Sequence, residues 1–279
     1  MLVPSRRSYA SRVLLLAFKL TLAPGLVVAT TLAGRRWGPR VAGWLGGLPV
    51  VVGPILLALA IEHGDDFAAH AARGALFGLL SLCAFVLTYA WTARRAAWPG
   101  ALAAAWLAEA LAIAALDRVR LPLGWSVALV LVAFAATEAL LPRASELAAP
   151  GGPPRWDLWL RAGATAALVL TLTAVAGVLG PQLSGMLAAF PVLASVLATF
   201  THTQDGPAAV AALLRGMVRG LVSFAAFCFL VAILLPAAGA GVAFAVAALA
   251  ALAVHGLSRL GGVIPRARRD GGAVSDPSG

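Results

Sequence analysis

The chain has 279 residues, 61% of them hydrophobic and only 11% charged, with a formal charge of +10 and a mean hydropathy of +0.93. Soluble domains carry about 25% charged residues, so a soluble enzyme, a nucleic-acid-binding domain and a disordered chain are poor readings. Apolar stretches of about 20 residues recur from end to end, the mark of a multi-pass membrane protein.

In chain order, the expected spans are 13–33, 41–61, 74–93, 98–116, 122–141, 158–179, 183–202, 214–236 and 239–258. That gives an all-α polytopic membrane protein of about nine transmembrane helices, within a range of eight to ten. None of the runs alternates every second residue, as strands of a barrel would. The first run is followed by Gly34-Arg35-Arg36 rather than a small-residue cleavage site, so no cleavable signal peptide is expected. The segment 143–157 reads as the one real interhelical linker. The Gly-, Arg- and Ser-rich residues 262–279 read as a disordered tail. Cys83 and Cys228 lie deep in apolar runs and read as small buried hydrophobes.

Lys19 is the only lysine, and the arginines cluster between the apolar runs. That is the footprint of topology determinants and of contact with anionic lipid, not of a nucleic-acid groove. With the N-terminus outside, Arg35, Arg36, Arg40, Arg94, Arg95, Arg143, Arg155, Arg259, Arg266, Arg268 and Arg269 fall inside. Arg6, Arg7, Arg12, Arg118 and Arg120 then fall outside. The excess predicts a cytoplasmic C-terminus in a bacterial inner membrane, with the basic N-terminus arguing the other way.

Shifted by 142 residues, the chain matches itself. Gly38-Pro39 falls on Gly180-Pro181, Gly43 on Gly185, Leu45 on Leu187 and Pro49-Val50 on Pro191-Val192. Gly64 falls on Gly206, Ala69 on Ala211, Arg73-Gly74 on Arg215-Gly216 and Gly78-Leu79 on Gly220-Leu221. Coincidence in an Ala/Leu-rich chain would give Ala and Leu matches. Here most matches are Gly, Pro and Arg, which indicates a duplication. Five spans separate the starts of the two copies, so the second enters the membrane in the opposite direction. Such inverted repeats build many secondary transporters. The expected layout is a first repeat at 1–121, a connecting helix and linker at 122–157, and a second repeat at 158–261.

Each copy has a proline inside its second span, Pro49 and Pro191, and copy one adds Pro54. Proline breaks or kinks a helix, and paired breaks are the best sequence pointer to a transporter site. The alternative is an ordinary kink. Gly47, Pro49, Pro54, Arg73, Ser184, Gly185, Pro191, Ser195 and Arg215 are therefore the candidate substrate-binding residues. Arg215 is expected deep beside the proline break and Arg73 at the interface. Arg219, one turn beyond Arg215, needs a partner. Gly74 with Gly78, and Gly216 with Gly220, read as helix-packing seams. Glu109, near the middle of its span, is the candidate proton-coupling group, whereas Glu138 reads as interfacial. The loops Glu62-His63-Gly64-Asp65-Asp66 and His202-Thr203-Gln204-Asp205-Gly206 read as solvated loops. Asp65 or Asp66, and Asp205, are their expected helix caps. No catalytic set, metal-ligand spacing or cofactor motif occurs, so the chain reads as a non-enzyme without metal or cofactor.

The stretch Leu183-Ser184-Gly185 through Phe190-Pro191 to His202, Asp205-Gly206 and Arg215-Gly216 resembles the GlpM-type family of small bacterial inner-membrane proteins. The resemblance covers about forty residues and implies a fused duplication of such a unit. Copy one departs from it, with Leu48 at the position of Phe190. It also implies a loose association with exopolysaccharide production. The expected function is that of a transporter-like protein in the lipid bilayer, with a midplane site for a small polar or anionic solute. The alternative is a non-transporting scaffold or assembly factor of an envelope or exopolysaccharide complex.

Overall fold

A computed structural model describes residues 6–119, 121–143, 156–176 and 190–260. Ser184, Gly185 and the expected tail lie outside the described residues. All the elements described are helices: α1 (Arg6–Trp37), α2 (Pro39–Gly46), α3 (Val52–His63), α4 (Asp65–Thr92), α5 (Trp98–Leu116), α6 (Leu123–Leu140), α7 (Asp157–Ala176) and α8 (Val192–Leu260). The 69 residues of α8 are broken at Gly206 (φ 79°) and Gly239 (φ 73°). Its segments 192–205, 207–238 and 240–260 are called α8a, α8b and α8c.

Local sequence explains the breaks. Positive φ favours glycine, and proline is at home in the first helical turn because its missing N–H would be unpaired there anyway. Gly38-Pro39 and Gly206-Pro207 join the two residue types, and a new helix starts at each. Gly64 (φ 88°, ψ 167°) separates α3 from α4 in the same way. Gly64, not Asp65 or Asp66, is the N-cap of α4, which corrects the expected cap. The two aspartates occupy the first turn, where their charge favours the positive end of the helix dipole.

Among the described residues, four helices are long and apolar enough to cross a membrane: α4, α5, α6 and α8 over Val192–Ser258. This differs from nine separate spans for a physical reason. The second expected span is two short helices, α2 and α3, parted by turns at 47–51, and the last three expected spans fall on α8, where the breaks at Gly206 and Gly239 leave a first segment, α8a, of only 192–205. The core lies where α8 packs against α2 and α4, with α5 on the other flank of α4. Leu76, Leu79, Phe85, Tyr89, Leu213, Leu214 and Met217 are fully buried there. α5 and α6 turn Leu107, Leu111, Leu129, Leu131 and Val132 outward. Such an apolar exterior belongs to a membrane-embedded protein, since lipid and not water is its compatible solvent.

Candidate functional site

The helix ends and turns place the other groups. Pro49 stands in the turns between α2 and α3, and its carbonyl accepts from the N–H of Gly53 (3.0 Å). Pro54 is the third residue of α3, so it starts that helix and does not add a second break. Pro191 directly precedes α8a, and its carbonyl accepts from the N–H of Ser195 (2.7 Å). Ser195 is buried, and its hydroxyl accepts from the indole N–H of Trp106 on α5 (2.9 Å).

Glycine permits the closest approach in the fold. A Cβ on Gly43 would lie 1.8 Å from the Leu213 carbonyl oxygen, and one on Gly47 would lie 2.5 Å from the Gly220 carbonyl carbon. From the other side, a Cβ on Gly216 would meet the Arg40 oxygen at 2.0 Å, and one on Gly220 the Trp44 oxygen at 2.3 Å. Only glycines let α2 and α8b touch backbone to backbone. Gly74 and Gly78 are also buried, whereas Arg73 is exposed.

Two buried polar pairs lie behind the seam. On α4, Ser81 Oγ is 2.8 Å from the Gly78 carbonyl and 3.0 Å from Glu109 Oε1 on α5. Glu109 is fully buried, and its Oε2 has no hydrogen-bond partner. On α8b, Ser223 Oγ is 2.7 Å from the Gly220 carbonyl and 3.1 Å from His255 Nδ1 on α8c. His255 is buried with Nε2 unpartnered, and Trp44 stacks on its ring at 3.9 Å. Ser81 and Ser223 are themselves 142 residues apart, as are their glycine acceptors. Sequence reasoning found Glu109 but missed His255. Extending the self-comparison two residues past Leu79 would have reached the serines.

The charged groups gather elsewhere. Arg215 does not lie beside the proline break as expected. Its guanidinium donates to the carbonyls of Glu138 (2.8 Å), Leu141 (2.9 Å) and Pro142 (3.2 Å). These are the carbonyls at the C-terminal end of α6, which have no partner within their own helix. The carbonyls that hold Arg215 are therefore those of a helix end, not those released by proline. Arg219 has the partner it needs, an ion pair with Glu138 in which Nε lies 2.7 Å from Oε1. Arg215 and Arg219 line a cavity of about 1420 Å³ together with Arg40, Trp91, Arg94, Arg143, Asp205 and Pro207.

A second cluster was not foreseen. Asp157, fully buried at the start of α7, accepts from Arg35 (2.7 Å), Arg161 (2.8 Å) and Gln204 (2.5 Å). Arg161 also donates to Gln204 (2.9 Å) and lies 4.6 Å from the centre of the Phe200 ring. Burial alone would raise the Asp157 pKa. The hydrogen bonds from Arg161 and Gln204, the Arg161 charge and the bond from Arg35 outweigh it and hold the carboxyl below the usual aspartate value.

These positions fix the ends of the molecule. α4 is an uninterrupted 28-residue helix, about 42 Å long at 1.5 Å per residue. Gly64 precedes its first turn. At its far end Trp91 and Arg94 line the same cavity as Asp205 and Pro207. Gly64 and Gly206, both at positive φ, therefore lie at opposite ends of the fold.

No family model matches the chain, and no curated protein or solved structure is significantly similar to it.

Proposed function

We propose that this chain is a multi-pass protein of the bacterial inner membrane, transporter-like, and built of two four-helix repeats in opposite orientation. The observation that supports this best is the pair Gly64 and Gly206: 142 residues apart, alike in backbone, and at opposite ends of α4. Pro49, in the turns between α2 and α3, and Pro191, just ahead of α8a, obey the same shift. In this reading the solute site lies between the two breaks, where a helix interruption exposes backbone groups to a polar ligand. The solute is small and polar or anionic. The GlpM-type resemblance fits a fused duplication of this kind.

Glu109 and His255 supply the proton chemistry. A serine hydroxyl has one proton to donate. When Glu109 carries its proton, it donates to Ser81, and Ser81 donates to the Gly78 carbonyl. When Glu109 loses the proton, Ser81 turns its own toward the carboxylate. The second half repeats the device with Ser223 and His255, and among the described residues neither Glu109 nor His255 takes part in an ion pair.

The backbone seam of α2 on α8b favours a second reading, a rigid scaffold or assembly factor of an envelope complex. Cysteine labelling separates the two. In a background with Cys83→Ala and Cys228→Ala, single cysteines are placed at Val50 and Ser195. A transporter-like protein gives labelling of both by small impermeant reagents, from each side of the membrane in turn. No labelling from either side leaves the scaffold. Orientation is read from Glu62→Cys and Thr203→Cys, both exposed. Labelling from opposite sides is expected, and labelling from one side overturns the inverted repeats.

A further inference from the structure

The arginine-lined cavity carries more positive charge than its own walls answer. Arg40, Arg94, Arg143, Arg215 and Arg219 face it. The acidic groups on its wall are Glu138 and Asp205, and Glu138 is already paired with Arg219. Asp205 also feels Arg161 beside it. The three carbonyls that hold Arg215 accept from its Nη1 and Nη2 groups but bring no negative charge. Arg94 leans on the Trp91 ring, 5.0 Å from its centre, which also leaves its charge uncancelled. Among the described residues, Arg40, Arg94, Arg143 and Arg215 form no ion pair. Four like charges around one cavity repel one another, more so beside a low-dielectric interior. The fold engages two of the five guanidinia, Arg215 on the end of α6 and Arg219 on Glu138, and leaves those of Arg40, Arg94 and Arg143 to meet an anion.

We propose that this cavity binds a phosphate-bearing anion, and that the anion is the headgroup of an acidic phospholipid. The guanidinium fork matches phosphate oxygens in pairs. The cavity, about 1420 Å³, is open toward the outside, so a headgroup can enter it from the surface of the fold. Its other wall is apolar: Ala135, Ala139 and Leu140 of α6 line it and are exposed on the helix face that carries Leu131 and Val132 outward. The charged pocket is therefore continuous with the surface that acyl chains would cover, as in basic headgroup pockets between membrane helices. The inference does not depend on transport, because a scaffold would hold the same lipid.

The test uses the full chain in a neutral detergent. Its melting temperature and the lipid it retains in native mass spectrometry are measured with phosphatidylglycerol or cardiolipin, and with phosphatidylcholine. Inorganic phosphate and pyrophosphate form the soluble arm. The acidic lipids should be retained and should raise the melting temperature, while phosphatidylcholine should not. Arg94→Ala combined with Arg143→Ala, both exposed side chains, should weaken acidic-lipid retention about thirtyfold, at the strength typical of two basic lipid contacts. Their melting temperature in phosphatidylcholine should be unchanged. Arg36→Ala with Arg95→Ala removes the same charge from exposed positions that do not line the cavity, and should leave retention intact. Equal loss in both double variants would mean general surface charge and overturn the site. A melting shift with pyrophosphate and none with acidic lipid would overturn the lipid assignment in favour of a soluble anion.

Discussion

Asp157 and Glu109 are both fully buried carboxyls, and they should answer mutation in opposite ways. Asp157 is surrounded by donors, two of them cationic. Its pKa is lowered in the folded chain, so its contribution is complete above the unfolded value of about 3.9 and is lost as pH falls through the folded value. Wild-type melting temperature should therefore drop steeply below about pH 4, and Asp157→Asn should flatten that drop. At neutral pH the same variant strands two arginines and should cost about 3 kcal/mol. Glu109 accepts one bond and leaves an oxygen unpartnered. Glu109→Met, of similar length, should raise the melting temperature, because a buried polar group in an apolar site is expensive. The same change should abolish any proton-linked flux. A lower melting temperature would make Glu109 a structural residue instead. Glu109 was legible because a carboxyl inside an apolar run stands out by itself. Asp157 was not, because its meaning depends on Arg35, 122 residues away, and such a contact leaves no local pattern.

At the scale of elements, the breaks were written in the sequence and the pairings were not. Proline acts on its own backbone, so Pro49 shows its role in the chain itself, whereas Gly64 and Gly206 were legible only as matched positions in two polar loops. Which helix end receives Arg215 depends on where α6 stops, and nothing near residue 215 encodes it. The seam of α2 on α8b lies between these cases: the glycine spacing was readable, its partner was not. Gly216→Ala should cut folded yield sharply, since its Cβ would sit 2.0 Å from the Arg40 oxygen and backbone cannot move aside cheaply. Gly241→Ala is the control, having nothing within 4 Å of its Cβ. It should be neutral or stabilise by up to about 1 kcal/mol, through helix propensity. Equal yields of the two variants would mean that α2 and α8b do not meet backbone to backbone. Gly206→Ala should cost about 1–3 kcal/mol by a separate route, the extended positive-φ backbone that glycine alone adopts readily.

For the molecule as a whole, one end gathers the charge. Arg40, Arg94, Arg143 and Asp205 share the cavity, and Gln204 ties the Arg35–Asp157–Arg161 cluster to the same end. Trp44, one turn along α2 from Arg40, donates to Ser258 near the end of α8c (2.9 Å), so the described chain finishes there too. The positive-inside rule then predicts that end to be cytoplasmic. A fluorescent reporter fused at the C-terminus should light up in the cytoplasm, and a periplasm-dependent reporter there should stay inactive. The opposite pattern would reverse the orientation. The seam near that end also sets the mechanics of the assembly. Contact between α2 and α8b is backbone on backbone, and glycine interrupts larger side chains along both helices. A slide of one residue, about 1.5 Å, would push the side chain of Trp44 or Met217 toward a gap that does not admit even a methyl group. Tilting about the contact leaves each glycine opposite its carbonyl. The seam is a fulcrum: it permits rocking of the two helices and forbids shear.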